Sequence, residues 1–405
     1  NVYKHIKEAE SFGLEVEGVK VHLDKIIDRK DAIVKQLTGG IDMLLNHHGV
    51  EIFRGTGKLV SNTKILVAGN DGVESEVEAK NIILATGSEA ATIAALGYDG
   101  VDVMTSTELL NLKELPESLV IIGAGVIGCE FASVFSELGT KVTMVEALDR
   151  VLPMVDEEIS KRFTMLLKKK KIGVQTSVMV EKVAKGENGV VVSLNNGKEL
   201  VADKVLIGIG RTLNSRGIGL EEVGVELGQR GEIVTDVLMK TSVDNIYAIG
   251  DVNNKALLAH AASAQGLQVV ENILKNKSVE PDVSFVPNCI YTFPEIASIG
   301  ISEAEAAAQG EIRVGKFPFS ACGKALCIGE KDGFIKIIAE ADSDKILGVH
   351  IIGPHATDLI AEAVLAVRMG LTVEDIAKTI HAHPTISESM MEAAEAVHGL
   401  AVHAI

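Results

Sequence analysis

Residues 119–146 read LVIIGAGVIGCEFASVFSELGTKVTMVE, and this stretch decides the fold. An apolar run, Leu119 to Ile122, leads into Gly123-x-Gly125-x-x-Gly128. A helical pattern follows, then a second apolar run that ends on Glu146, 18 residues past Gly128. This is the strand, glycine turn, helix, strand, acid order of a dinucleotide-binding βαβ unit. Gly123 permits the tight turn out of the strand, Gly125 lets a pyrophosphate approach the backbone, and Gly128 lets the helix pack on the strands. The helix N-terminus offers free N–H groups and the positive end of its dipole to phosphates. A carboxylate at the end of the second strand accepts from ribose hydroxyls and repels a 2′-phosphate, so the expected dinucleotide is NAD rather than NADP. In a chain with 39 glycines a bare GxGxxG is weak, and it is the flanking strands, helix and acid that carry the reading.

A length of 405 residues allows two or three domains. With 47% hydrophobic residues the chain can bury large cores, and with 3% aromatics and no Trp those cores are aliphatic. A net charge of −17 argues against nucleic acid or an anionic membrane surface as partner. No apolar stretch reaches the roughly 18 residues a membrane span needs, and no signal segment opens the chain. Four cysteines in 405 residues make no disulfide framework, so a reducing cytoplasm is expected. Asn1 is not an initiator Met, and the chain reads as though it begins inside a larger protein.

Outward from the βαβ unit, residues 1–50 have a helical period that ends in the amphipathic stretch Asp31 to His48. Val50–Phe53, Thr63–Val67, Ser75–Glu78 and Asn81–Ala85 are expected as strands of a meander, and residues 89–115 as a connecting segment. Val190–Leu194 and Val205–Ile209 read as further strands of the nucleotide domain. Glu157–Lys170 reads as a helix whose closing lysines, Lys168–Lys171, complement its dipole. Residues 245–251 form a short strand ending in Gly250-Asp251, followed by a helix to about Lys275. Beyond Pro281 and Pro287, strands (Val314–Phe317, Gly333–Ala339, Ile346–Ile352) mix with helices (Ser302–Gln309, Thr357–Met369, Val373–Ile380, Ser387–Val397) in an α+β pattern.

Six ordered motifs carry a resemblance across nearly the whole chain: ATGSE (85–89), GAGVIGCE (123–130), IGR (209–211), IYAIGDV (246–252), LLAHAASAQG (257–266) and HAHPTISE (381–388). Together they resemble the pyridine nucleotide–disulfide oxidoreductases, and the closing AAEAVHGLAVHA (393–404) is similar to the tail of their dihydrolipoamide dehydrogenase branch. The resemblance implies an α/β chain of FAD/NAD-linked reductase architecture, with a Rossmann-like NAD domain, an incomplete FAD domain and a C-terminal α+β dimerisation domain. The expected divisions are 1–89 for the remainder of the FAD domain, 90–235 for the NAD domain, 236–282 for a central segment returning to the FAD domain, and 283–405 for the dimer interface. FAD and NAD are the implied cofactors, and no metal is expected. By resemblance, Gly123, Ala124, Gly125, Val126, Ile127, Gly128, Cys129, Glu130, Glu146, Val180 and Gly210 line the NAD site. Gly57, Thr86, Gly87 and Ser88 lie near the FAD, Asp251 bonds its ribityl chain, and Leu257, Leu258, Ala259 and His260 border the flavin. A lone Gly-Asp pair is otherwise a turn or cap.

In the family, His383 corresponds to the acid/base that takes a proton from a dithiol substrate, and Glu388 orients it. The chemistry asks for such a group because a thiolate, not a thiol, attacks a disulfide. Histidine titrates near working pH, and a carboxylate on its other nitrogen fixes the tautomer. The same residues have a plainer reading, since Thr385-x-x-Glu388 is a capping box and His381, His398 and His403 crowd the region. The family histidine works against the disulfide of the other subunit, which implies a homodimer.

Departures from the family pattern bear on function. Its first GxGxxG and its Cys-x4-Cys redox pair fall upstream of the region matching Asn1. Cys322 and Cys327 repeat the spacing but do not align with that pair, and Cys129 is expected to pack in the core. Ala261 and Gln265 stand where Lys and Glu are common, and Leu213 where Pro is common. The implied activity is oxidation of dihydrolipoyl groups with NAD through a disulfide and FAD, with no turnover expected of these residues alone. Implied partners are lipoyl domains of 2-oxoacid or acetoin dehydrogenase or glycine cleavage complexes. The alternatives are an NAD-binding dimeric fragment or paralogue without redox chemistry, and another flavin disulfide reductase of the same superfamily.

Overall fold

A computed structural model describes residues 2–282 and 284–403. Val283, the first residue of the expected interface domain, and Ala404, the last of the tail motif, lie outside them. The chain forms two compact units, one of residues 1–28, 91–210 and 287–405, the other of residues 29–90 and 211–286.

In the first unit the quoted stretch folds as read. Strand Ser118–Ile122, helix Val126–Leu138 and strand Lys141–Val145 follow one another, and the two strands pair in parallel with Ile121 opposite Met144. Three further parallel strands complete the sheet, in the order Val103–Met104, Lys204–Ile207, Ser118–Ile122, Lys141–Val145, Gly173–Gln175. Its strands are near-continuous apolar runs because both faces are covered, one by helices and the other by a second sheet. The expected helix is seen at Glu157–Lys169, capped by Asp156, with Lys168 and Lys169 in its last turn. A three-stranded antiparallel sheet, Val180–Gly186, Gly189–Leu194 and Glu199–Ala202, packs its apolar side with Val120, Ile122 and Val205.

The C-terminal part of this unit is a five-stranded antiparallel sheet ordered Asn288–Ile290, Glu295–Gly300, Ile346–Gly353, Phe334–Glu340, Ile312–Pro318. Helices Ala356–Met369 and Glu388–Val397 pack on it. One hydrophobic core runs through both parts: Ile121, Ala132, Met144, Phe163 and Leu206 join Ile290, Ile296 and Ile352.

In the second unit the expected four-stranded meander is corrected to three strands, Gly55–Leu59, Lys64–Gly69 and Glu74–Glu78. Val50–Phe53 is not a strand. Pairing starts only at Gly55, opposite Gly69, in the hairpin that the turn at residues 60–63 closes. Ile82–Leu84 leaves the meander and pairs in parallel with Ile246–Ala248. The segment expected as a plain connection begins with strand Ser88–Ala90, which pairs antiparallel with Arg211–Leu213. The short helix Gly250–Asn253 and the helix Ala259–Lys275 follow. The long helix Leu23–His47 includes the amphipathic stretch, and the division between units crosses it after Asp28.

Candidate active site and nucleotide site

The glycine turn has the shape its chemistry asks for. Gly123 has φ +101°, and a Cβ there would lie 2.4 Å from the Gly208 carbonyl oxygen. A Cβ on Gly128 would lie 2.1 Å from the Gly123 oxygen, so helix and turn touch backbone to backbone. Gly125 is the N-cap of the helix and has open space on its Cβ side, where a pyrophosphate would approach. Glu146 is buried at the strand end. Its Oε2 accepts the Ala124 N–H at 2.6 Å and its Oε1 accepts the Leu148 N–H at 2.8 Å. The acid is thus tied to the glycine turn itself, with lone pairs left for hydroxyl donors.

Around it, Val126 and Ile127 open the helix, and Cys129 is buried, its thiol donating to the Ala124 oxygen at 3.4 Å. Burial pushes the Cys129 thiol well up, as do the charges of Glu130 and Glu146. That is the core role expected of it. Glu130 accepts the Tyr291 N–H at 2.9 Å, and burial holds its carboxyl above the usual range against that bond. Val180 begins its strand opposite Leu194, and Gly210, at φ +134°, accepts the Ala91 N–H.

The residues expected near the flavin fall in the second unit. Ser88 donates to Asp251 Oδ2 at 2.5 Å, and Arg211 donates Nε to Ser88 Oγ and Nη2 to the Ser88 carbonyl, each at 2.6 Å. Thr86 donates to the Asn214 carbonyl, while Asn214 donates back to the Thr86 and Gly87 carbonyls. Leu258 caps the helix that starts at Ala259 and His260, and Leu257 precedes it, exposed. Gly57 pairs with Val67 in the meander, a different sheet from Ser88. Gln265 is fully buried and accepts the Gly250 N–H at 2.7 Å and the Asn253 amide at 3.1 Å.

His383 and Glu388 meet. The Nδ1 of His383 donates to Glu388 Oε1 at 2.9 Å, and Glu388 Oε2 accepts the Thr385 N–H at 2.9 Å. The capping-box reading is half corrected. Thr385 Oγ1 donates to the Ala382 carbonyl at 2.6 Å instead of serving the helix, and Ser387, not Thr385, is the N-cap. Glu388 keeps its half of the box, accepting the Thr385 N–H through Oε2, and its Oε1 takes the imidazole. Burial pushes the Glu388 carboxyl up, but the Thr385 N–H and His383 outweigh it and hold it below the usual range. The His383 side chain is 80% exposed, so its Nε2 faces outward. The other histidines are taken: His381 by Glu362, His398 by Asp344 and His403 by Glu392, at 2.9, 2.7 and 2.6 Å.

Sequence reasoning missed Arg211 as a partner of Ser88, and it missed Lys336 and His350. The last two were visible as titratable residues inside apolar strand runs, FIKIIAE and ILGVHIIG. Cys322 is buried with its thiol toward the Thr385 carbonyl at 3.6 Å, and Cys327 is exposed at the end of the short helix Gly323–Cys327. All four cysteines are free. Among the described residues no helix is long and apolar enough to cross a membrane.

A Rossmann-type nucleotide fold, a Ser–Asp–Arg cluster at a second strand end and an exposed histidine–glutamate pair define a nucleotide-linked oxidoreductase. The profile described as pyridine nucleotide-disulphide oxidoreductase matches residues 2–266, and the dimerisation domain of the same family matches residues 286–394. The chain belongs to this family of FAD- and NAD-dependent enzymes and carries its dimerisation domain. It is 42% identical to a dihydrolipoyl dehydrogenase of Bacillus subtilis over 99% of this chain and 88% of that one. It is 40% identical to the mitochondrial dihydrolipoyl dehydrogenase of Homo sapiens over 96% and 78%. Among solved structures, LpdA from Mycobacterium tuberculosis superposes with a TM-score of 0.91 at 28% identity, covering 97% of this chain and 86% of that one. The HOCl-induced flavoprotein disulfide reductase RclA of Escherichia coli superposes at 0.86 and 26% identity, covering 97% and 88%.

Proposed function

We propose that these residues serve dihydrolipoyl dehydrogenation, the oxidation of dihydrolipoyl groups with NAD, in a cytoplasmic homodimer that receives lipoyl domains of a 2-oxoacid, acetoin or glycine cleavage complex. The observation that carries the reading is the exposed His383 ring with its Nδ1 on Glu388. With Nδ1–H committed to the carboxylate, Nε2 is the unprotonated nitrogen and accepts the proton of a substrate thiol. The imidazolium formed is stabilised by Glu388, which the Thr385 N–H keeps in place.

Bound FAD and NAD would supply the redox chemistry, the flavin exchanging electrons with a dithiol and the nicotinamide accepting a hydride. Gly123 to Glu130 and Glu146, with Val180 and Gly210, would hold NAD. Thr86, Gly87, Ser88, Asp251 and Leu257 to His260, with Gly57, would hold FAD. The contacts of Glu146 to the turn and of Ser88 to Asp251 fit both assignments. The four-part division at residues 89, 235 and 282 is proposed with them.

None of the chain's own cysteines suits the working dithiol. Cys129 is buried with its thiol pushed up, burial also raises Cys289, and Cys322 is buried and points at a carbonyl, which leaves the exposed Cys327 without a second thiol suited to make a dithiol with it. The dithiol is therefore proposed to come from residues outside these 405. An assay of dihydrolipoamide-dependent NAD reduction with FAD present tests this. The 405 residues alone should give none, and joining them to a segment with a Cys-x4-Cys should give turnover that His383→Gln removes. If the joined protein binds NAD and still gives no turnover, the reading moves to a dimeric NAD-binding paralogue.

A further inference from the structure

Lys336 lies in the interior of strand Phe334–Glu340 of the dimerisation domain and is 1% exposed. Its ammonium meets three carboxylates: Asp156 at 2.9 Å, Glu158 at 3.3 Å and Glu303 at 2.5 Å. An ammonium so placed is tolerated only with each of its three N–H groups matched. Burial opposes its charge, yet Glu303 and Asp156 prevail and hold Lys336 above the usual lysine range.

Two of the three acids belong to the nucleotide fold. Asp156 caps the helix Glu157–Lys169 by accepting the Glu158 N–H at 3.0 Å, and its other oxygen accepts the Glu303 N–H at 3.2 Å. Asp156 also ends the loop of residues 147–155 that starts at Glu146. The Leu148 N–H of this loop donates to Glu146 Oε1, and the Leu152 N–H donates to the Ala124 carbonyl at 2.9 Å. The hydroxyl of Ser160, on the capped helix, reaches the Val151 carbonyl. Leu152 is left-handed at φ +50°, a conformation a branched side chain keeps only where its surroundings hold it. The loop is thus pinned at one end to the glycine turn and the acid, and at the other to a lysine of the dimerisation domain.

We propose that Lys336 is a positioning residue for nucleotide recognition. By fixing Asp156 it sets the loop 147–155, and through it the Glu146 carboxylate and the Ala124 peptide that face the adenosine ribose. This rests on the assignment of NAD to Glu146 and goes beyond it, because it makes nucleotide affinity depend on the dimerisation domain. A buried ion pair such as Lys336 with Asp156 is a poor stabiliser compared with apolar packing of the same volume, but its bonds are directional. Direction is what a carboxylate aimed at two hydroxyls requires.

NADH and NADPH fluorescence titrations of the 405-residue chain test the proposal. The unmodified chain should bind NADH saturably and prefer it to NADPH. Lys336→Met should weaken NADH roughly three- to thirtyfold and narrow the preference, and Lys336→Arg should restore most of the loss. A folded Lys336→Met with NADH affinity and preference within about twofold of the unmodified chain overturns the proposal, whatever its melting temperature. If Lys336→Met does not fold, Asp156→Asn, which keeps a capping oxygen and drops the charge, is read by the same two limits. If the unmodified chain binds no NADH, the nucleotide assignment fails and the proposal fails with it. Saturable NADH binding with unaffected variants sinks the proposal alone.

Discussion

Glu388 holds His383 with one carboxylate oxygen and the Thr385 N–H with the other, each at 2.9 Å. The pair is therefore oriented by the backbone before any substrate arrives. In the protein with its dithiol, His383→Gln should lower dihydrolipoamide oxidation about 10²- to 10⁴-fold, the range of general acid–base catalysis. Glu388→Gln should cost less, since an amide can still accept from Nδ1 but stabilises the imidazolium poorly. Steady-state rates across pH check both. Equal losses with unchanged pH profiles would make the pair structural.

Glu146 accepts from the glycine turn and from Leu148, so under the proposed NAD assignment its charge would serve recognition and loop order at once. Glu146→Gln should weaken NADH about tenfold or more, given about 1.5–3 kcal/mol for hydrogen bonds to a charged group. NADPH should be affected less, because the repulsion of its 2′-phosphate goes too. Parallel titrations read the ratio. An unchanged ratio would remove Glu146 as the discriminating acid.

Gly128→Ala puts a Cβ 2.1 Å from the Gly123 oxygen, and backbone on both sides leaves it no escape. Separating helix from turn should cost about 1–3 kcal/mol of stability and remove measurable NADH binding. Gly139→Ala is a useful control. Its φ is +107° but nothing lies within 4 Å of its Cβ, so it should lose stability while keeping nucleotide affinity.

His350 is buried across from Lys336, with Nε2 on the Ile301 carbonyl. Burial pushes its imidazole below the usual range. Ile301, Asp156 and Glu305 pull it back up, and Lys336 adds to the depression. Neutral in the folded protein, it takes a proton on unfolding at any pH between its folded value and about 6.5. Its contribution to stability is whole above about pH 6.5 and falls as pH drops below that, by up to about 1.4 kcal/mol per pH unit. Urea midpoints at pH 7.5, 6.5 and 5.5 should show the fall, and His350→Gln should flatten it. An identical slope in the variant would assign the acid sensitivity to other groups.

The βαβ unit was legible because glycine spacing and apolar runs are local, and three of the five strands of the dimerisation domain and most of its helices were legible for the same reason, whereas strands Asn288–Ile290 and Glu295–Gly300 were not read. What escaped was non-local. Ile82–Leu84 reads as one more meander strand, yet its partner is Ile246–Ala248. Ser88–Ala90 is too short and polar to announce itself and exists through Arg211–Leu213. Val50–Phe53 has the composition of a strand, but the hairpin register begins after it. At the site, Thr385 and Glu388 spell a capping box in sequence. Only the fold shows that the Thr385 hydroxyl goes to Ala382 and that the acid, still holding the Thr385 N–H with one oxygen, gives the other to His383.

We propose one dihydrolipoyl oxidation for this chain's histidine pair and nucleotide fold, with a dithiol that is not among its four cysteines. The most direct measurement is NADH production from dihydrolipoamide and NAD, by the 405 residues alone and by the same residues joined to a Cys-x4-Cys segment, each with Cys322→Ser/Cys327→Ser. Turnover only in the joined protein, indifferent to the two serines, is the predicted result. Turnover by the 405 residues that disappears with Cys322→Ser/Cys327→Ser would contradict it.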